Sequence, residues 1–261
     1  MKKYAKSLLS FLKTKRITTV AGAWVYYFLT ALLPILFLAL TAFSVFGVNL
    51  SEAIVLRLPV EFSKVGEALF STASNASGGI TVFFFVAVLY SGSTLLNQML
   101  KDGEHIYEHK KSYKYGFLRR VISLLAIGVL FIVFMACAIF SAFQNVILSG
   151  FNANDSKFKI ILVVFSVIIV SYFLINLLNK FICPVKRKFY SFLLGSLVSL
   201  FIIVLGTIAF MVWLRLLKPY NAFYGSLAGV IAFLFWTYIV MLGLVIGVCF
   251  NVKTFNKKSK R

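Results

Sequence analysis

Six long apolar stretches, each free of Asp, Glu, Lys, Arg and His, constrain this chain more than any other feature. A helix crosses a bilayer with about 20 mostly apolar residues, and inside lipid its backbone polar groups must be paired internally. The sequence therefore predicts an all-α, polytopic membrane protein, a single integral membrane domain over residues 1–261 with six transmembrane helices. The predicted spans are residues 20–46, 80–100, 121–148, 160–178, 189–214 and 222–250.

The composition excludes an ordinary soluble domain. The chain is 61% hydrophobic and 13% charged, whereas soluble domains are about half apolar and about a quarter charged. A net charge of +20 would indicate nucleic-acid binding if the basic residues formed one patch on a folded domain. Here the lysines and arginines lie in short clusters between the apolar stretches, so we expect no nucleic-acid partner.

The positive charges alternate between the two sides of the predicted spans. Of the 27 lysines and arginines, 21 lie in the N-terminal segment, the second and fourth connectors and the C-terminal segment; six lie in the other three connectors. Cytoplasmic connectors of membrane proteins are enriched in Lys and Arg. This distribution predicts that both termini lie in the cytoplasm.

The segments outside the spans carry weaker patterns. Residues 1–19 read as a basic amphipathic helix in the cytoplasmic interface, where lysines attract anionic lipid headgroups; a solvated tail is the alternative. The outer connector, residues 47–79, has apolar residues at helical spacing and predicts a short helix on the outer face. Residues 251–261 are predicted to form a basic cytoplasmic tail.

The stretch "KDGEHIYEHKK", residues 101–111, contains His105, Glu108 and His109 in the H-x-x-E-H spacing of inverted zinc peptidases. If the second helix continues past Leu100, the two histidines share one face. A zinc site also needs a third ligand and a shielding cleft, and most other acidic residues are predicted on the far side of the membrane. We interpret the stretch as a solvated connector, with no metal, no cofactor and no enzymatic activity.

Polar side chains inside the spans permit two interpretations. They can line a polar cavity in a transport or lipid-handling path, or they can form hydrogen bonds between packed helices. The second span concentrates them, with Tyr90, Thr94 and Asn97 on one face. The candidate cavity-lining residues are Tyr26, Tyr27, Thr30, Tyr90, Ser91, Thr94, Asn97, Gln98, Asn176 and Tyr238.

Ionisable groups are absent from the predicted spans. Such groups at membrane depth mark proton relays and counter-ions, so the sequence disfavours proton-coupled antiport through an intramembrane carboxylate. Coordination of sodium by carbonyl and hydroxyl oxygens at interrupted helices is compatible with the sequence.

Proline and glycine mark kinks and close contacts. Pro34 lies within the first span and is expected to kink it, because it removes one backbone hydrogen bond. The pairs Gly225 and Gly229, and Gly243 and Gly247, have the small-xxx-small spacing that lets membrane helices approach closely. We expect these glycines to serve helix packing.

Three blocks carry a resemblance to a known family. Residues 21–34, "AGAWVYYFLTALLP", resemble the first-span motif of the YihY/BrkB family of bacterial inner-membrane proteins, and residues 90–97, "YSGSTLLN", are similar to the end of its second span. Residues 224–251 look like its most recognisable block. The resemblance implies a six-helix inner-membrane protein with a cytoplasmic N-terminus. The family usually has Ser at Ala31 and an acid at Cys249, so a role of either group does not carry over.

The leading functional hypothesis is a protein that moves or handles a lipid or another envelope amphiphile through a polar, uncharged cavity. Its partners would be membrane lipids, with anionic headgroups at the cytoplasmic face. A small-solute or ion transporter and a non-catalytic envelope scaffold are the alternatives. The family has carried a ribonuclease label, which we do not extend to this chain, because its two histidines are confined to one connector.

Overall fold

The computed structural model describes residues 10, 14–45, 71, 78–109, 120–125, 156–185, 187–216 and 227–259. These residues form five long α-helices and one 3-10 helix. The α-helices are α1 (Ile17–Val45), α2 (Gly78–Tyr107), α3 (Ser156–Ile182), α4 (Leu193–Leu216) and α5 (Leu227–Ser259), and the 3-10 helix, Phe189–Phe192, leads directly into α4.

All five helices are long and apolar enough to cross a membrane. The helical, membrane-spanning class is therefore confirmed, and the described helices correspond to five of the six predicted spans. The remaining predicted span, residues 121–148, lies outside the described residues except for 121–125. Most of the predicted outer connector, 47–79, and most of the first thirteen residues also lie outside them.

Two helices extend furthest beyond the ends predicted from hydropathy. The predicted second span stops at Leu100, but α2 continues to Tyr107, and α5 continues through most of the predicted C-terminal tail to Ser259. Hydropathy falls where polar residues begin, whereas a helix ends only where its backbone changes direction. The first seven residues of the predicted solvated connector, 101–107, are therefore helical, the continuation past Leu100 that the sequence analysis considered.

The end of α2 is a Schellman motif, in which the N–H groups after the helix bond back to its last carbonyl oxygens. The N–H of Glu108 donates to the oxygen of His105 at 3.4 Å, and the N–H of His109 donates to the oxygen of Glu104 at 3.2 Å. Glu108 has a φ of 54°, a left-handed conformation that costs a non-glycine residue about 1 kcal/mol.

The end of α3 is set by proline. Cys183 precedes Pro184, and the proline ring disfavours the helical conformation of the residue before it. The N–H of Cys183 makes the last helical bond, to the oxygen of Asn179 at 3.2 Å. A short connector then turns the chain into the 3-10 helix and α4.

The helices meet most closely at one end of the molecule, which we call the polar end: α1 and α4 begin there, and α2, α3 and α5 end there. Its buried core joins α1, α2, α3 and α5 through Trp24, Leu96, Ile106, Ile182 and Val248. The opposite part, the far half, carries many exposed large apolar side chains. They include Val82, Phe83, Phe85 and Val86 on α2 and Leu205, Ile208, Met211 and Val212 on α4.

Glycines allow α5 to lie against α4. A Cβ atom on Gly243 would lie 2.7 Å from the Cγ1 atom of Ile203, and one on Gly247 would collide with Ser199 and lie 2.6 Å from the oxygen of Gly195. Gly229 lies within the α5 backbone, and Gly225 lies outside the described residues. The helix α1 runs through Pro34.

Candidate functional site

The polar end contains two groups of hydrogen-bonded polar side chains. The first, the α1–α2 clamp, is centred on the Asp102 carboxylate. The indole Nε1 of Trp24 donates to Asp102 Oδ2 at 2.8 Å, and Gln98 Nε2 donates to Asp102 Oδ1 at 3.1 Å. Trp24 is 0% exposed, and a buried indole N–H needs an acceptor. This contact therefore fixes the position of α1 along α2.

Lys15 extends the clamp to the last turn of α2. Its side chain is only 5% exposed, and its Nζ atom donates to Glu108 Oε1 at 2.6 Å and to the oxygen of His105 at 3.1 Å. The last carbonyl groups of a helix lack intrahelical donors and carry partial negative charge, so an ammonium group is favoured there. The Lys15 hydrogen bond and charge lower the pKa of Glu108. The ion pair thus forms at the residue whose backbone is left-handed.

The clamp decides the geometry of the H-x-x-E-H stretch. His105 lies in the last turn of α2, whereas His109 lies beyond the helix end, so the two do not share a continuous helical face. Glu108 is already bonded to Lys15. Within the part of the chain that the structure describes, no group of three His, Cys, Asp or Glu side chains is placed to hold a metal ion.

The second group, the polar seam, lies between α3, α4 and α5. Asn179 Nδ2 donates to Ser196 Oγ at 2.9 Å, and Ser196 Oγ donates to Asn176 Oδ1 at 3.0 Å. The backbone N–H of Gly195, in the first turn of α4, donates to Asn251 Oδ1 at 3.1 Å. Asn251 thus supplies from another helix the acceptor that an N-terminal helix turn lacks.

Three atoms of the seam have no hydrogen-bond partner among the described residues. They are Asn176 Nδ2, Asn251 Nδ2 and Ser199 Oγ, and all three side chains are buried. Leaving a buried polar group unpaired costs about 1–3 kcal/mol. The seam therefore holds unsatisfied polar atoms at the contact of α3, α4 and α5.

The residues predicted from sequence to line a cavity do not form one site. Gln98 belongs to the clamp and Asn176 to the seam, and Tyr27 and Tyr238 pack against the core. The others lie along α1 and α2 outside that core. Tyr26, Thr30 and Tyr90 are exposed, Ser91 and Thr94 donate their hydroxyl groups to carbonyl oxygens of α2, and Asn97 has a buried, unpaired Oδ1.

Sequence reasoning missed most of the residues that the structure connects. The contact between Trp24 and Asp102 could not be predicted from the sequence, because the two residues come from different helices. Lys15 lies in a segment that was expected to face lipid headgroups. The seam had a detectable signal, since Asn176 and Asn179, and Ser196 and Ser199, repeat at a spacing that places both on one helix face. The unassigned residues are Lys15, Trp24, Asp102, Asn179, Ser196, Ser199 and Asn251.

Five spanning helices with an apolar exterior and a polar end define a multi-pass α-helical membrane protein. The family model described as Virulence factor BrkB matches residues 8–261, and the chain belongs to this BrkB/YihY family. The chain is also 23% identical over 243 residues to YfkH of Bacillus subtilis (strain 168), with 85% of this chain and 84% of YfkH covered; the name of YfkH carries a provisional ribonuclease-like label. No solved structure gives a significant match.

Proposed function

We propose that the chain spans the bacterial inner membrane six times and has both termini in the cytoplasm. The helices α2 and α3 both end at the polar end, where Gly103 packs against Ile182, so the chain has to return to the far half between them. Residues 121–148 are an uncharged apolar stretch long enough for that return. The distribution of Lys and Arg supports the orientation, and labelling of both termini from each side of the membrane tests it.

We further propose that the protein moves or handles a lipid or another envelope amphiphile. The observation that carries this proposal is the exposure of Tyr26 and Tyr90, at 63% and 70%. At 1.5 Å per residue, Tyr26 lies about 14 Å from the start of α1 and Tyr90 about 18 Å from the start of α2. Both are then within a hydrocarbon layer about 30 Å thick.

A tyrosine hydroxyl at that depth needs a polar partner. Among the described residues, neither Tyr26 nor Tyr90 has a hydrogen bond to its hydroxyl, and a hydroxyl left without one in an apolar medium costs free energy. A lipid headgroup or water moving along α1 and α2 would supply that partner. Asn97, two turns from Tyr90 toward the polar end, has a buried Oδ1 without a hydrogen-bond partner among the described residues.

Phospholipid translocation in liposomes tests the proposal. The purified protein is reconstituted, and the transfer of a fluorescent phospholipid between leaflets is compared with that in empty vesicles. Loss of one polar contact of about 1.4 kcal/mol corresponds to about a tenfold lower rate, which we expect for Tyr90→Leu. Tyr90→Phe removes the hydroxyl and keeps the ring, so its transfer rate shows which of the two groups contributes.

A matched control is available in Tyr190. It is also strongly exposed, but it lies in the 3-10 helix at the polar end, away from the path along α1 and α2. We expect Tyr190→Leu to leave the rate unchanged. Transfer no faster than in empty vesicles, combined with saturable uptake of a water-soluble solute, would replace the lipid proposal with the small-solute alternative.

We also propose that the protein is not an enzyme and does not bind nucleic acid. The ribonuclease-like wording belongs to the name of YfkH. In this chain the end of α2 separates the two histidines, and Glu108 is already hydrogen-bonded to Lys15. Incubation of the purified protein with a transfer-RNA precursor should give no cleavage above that of a His105→Ala, His109→Ala variant. Cleavage that disappears in this variant would overturn the proposal.

A further inference from the structure

We propose that the connector between α3 and α4 is a binding site for a phosphate group, carried by an anionic lipid headgroup. The site consists of three basic side chains, Lys180, Arg187 and Lys188, which we call the cationic turn. Lys180 lies in the last turn of α3, and Arg187 and Lys188 directly precede the 3-10 helix. All three are exposed.

Aromatic rings hold two of the three charges in place. The Lys180 ammonium lies over the ring of Phe189, 5.6 Å from its centroid, and the Arg187 guanidinium lies over the ring of Phe255, 5.4 Å from its centroid. Such cation–π contacts are attractive and leave the outer side of the cation free for an anion. The Phe255 ring is itself held by an edge-to-face contact with Phe192.

Hydrogen bonds form at both ends of the same connector. The Cys183 thiol donates to the oxygen of Val185 at 3.4 Å, and the N–H of Ser191 donates to the oxygen of Lys188 at 3.0 Å. Pro184 is buried and has a restricted backbone. Two of the three basic groups that an anion meets, Lys180 and Arg187, already rest on aromatic rings, which reduces the entropy lost on binding.

The cationic turn carries charge that no described acidic side chain neutralises. The ion pair found in the described part of the chain joins Lys15 to Glu108 and leaves Lys180, Arg187 and Lys188 without a carboxylate partner. Three unneutralised cations close together in sequence favour a multiply hydrogen-bonding anion. Phosphate oxygens suit this set, because guanidinium binds phosphate in a bidentate manner and lysine acts as a point charge.

The position of the turn favours a lipid as the source of the phosphate. The turn lies between the ends of two membrane-crossing segments, Phe165–Ile182 and Phe189–Leu214, which is the level of the headgroups. Each Lys or Arg near an anionic membrane surface contributes about a fivefold increase in affinity. The proposed binding does not depend on lipid translocation; only a use of the site in lipid movement would rest on the proposed function.

Native mass spectrometry of the full-length protein in detergent tests the site directly. The probe is a short-chain phosphatidylglycerol, titrated against the unchanged protein and a Lys180→Gln, Arg187→Gln, Lys188→Gln variant. We expect roughly a hundredfold loss of affinity in the variant, with short-chain phosphatidylcholine binding unchanged. As a control, Lys101→Gln removes an exposed charge of α2 at the same end and should leave the affinity unchanged. Arg187→Lys should weaken phosphatidylglycerol binding less than Arg187→Gln.

Two further arms make the outcome decisive. A competition with inorganic phosphate distinguishes the sources: no displacement assigns the site to the lipid headgroup, and full displacement assigns it to free phosphate. Equal phosphatidylglycerol affinity in the triple variant and the unchanged protein, with both eluting as the same species in size-exclusion chromatography, overturns the site. This experiment measures binding and not translocation. A negative result would therefore overturn the binding site and leave the proposed function to its own test.

Discussion

The polar end and the far half of this protein are built in different ways. At the polar end, helices are joined by side-chain hydrogen bonds and by close contacts at glycine, as between Trp24 and Asp102 and between Gly195 and Asn251. In the far half, helices expose large apolar side chains such as Phe83 and Phe85. Lipid is as apolar as leucine, so apolar burial does not drive helices together in a membrane. Among the described residues, most interhelical hydrogen bonds of side chains lie at the polar end, and the far half has the one from Trp236 to Thr207. The mutual positions of the helices are therefore specified mainly at the polar end.

The largest effect expected from this comparison concerns Asp102. Asp102→Leu would leave the buried Trp24 N–H and the Gln98 amide without their acceptor, and we expect a loss of about 3 kcal/mol in the free energy of unfolding. Asp102→Asn keeps one acceptor and should lose about half as much. Denaturation in mixed micelles followed by tryptophan fluorescence measures both.

A far-half variant serves as the control for that measurement. Phe85 is exposed, so Phe85→Leu should change the free energy of unfolding by less than about 0.5 kcal/mol. If Phe85→Leu proves as damaging as Asp102→Leu, the two regions do not differ in the way proposed here.

The next effect in size is expected at the close contact between α4 and α5. Gly247→Ala places a Cβ atom against Ser199 and the oxygen of Gly195, and overpacking of this kind costs about 1–3 kcal/mol. Gly22→Ala is the matched change in α1, where a Cβ meets nothing within 4 Å, and it should stabilise by up to about 1 kcal/mol because alanine favours helix. Thermal unfolding of both variants in one detergent gives the sign of each change.

These residues also show how far the sequence could predict the structure. The five described helices follow from the length and apolarity of their segments, which depend on one helix at a time. The end of α2 at Tyr107 and the partners of Trp24 depend on which helices become neighbours, and no local pattern contains that information. Lys15 illustrates the limit, because a basic segment predicts contact with lipid headgroups, whereas packing places this lysine on the last carbonyl groups of α2.

A substitution of Asn97 distinguishes a role in function from a role in stability. Asn97 has a buried Oδ1 without a hydrogen-bond partner, so Asn97→Leu removes an unsatisfied polar atom and should change the free energy of unfolding by less than about 1 kcal/mol. If Asn97 serves the proposed lipid path, the same variant should abolish phospholipid transfer while inserting into the membrane normally. Unchanged transfer would count heavily against a role for this face of α2.

The smallest expected effect is the pH dependence of the Lys15–Glu108 ion pair. Glu108 has a lowered pKa in the folded protein, chiefly because Lys15 donates a hydrogen bond to it. A lowered folded-state pKa means that the pair stabilises the fold above the ordinary pKa of 4.5 and that this stabilisation is lost as the pH falls through the folded-state value. The Glu108 side chain is 77% exposed, so solvent screens the interaction and the effect on thermal unfolding should be small. The difference in unfolding temperature between the unchanged protein and Glu108→Gln should therefore be constant from pH 8 to about pH 5 and shrink below it. A difference close to zero at every pH would mean that Lys15 is held by the carbonyl oxygen of His105 and that Glu108 contributes nothing to closing the polar end.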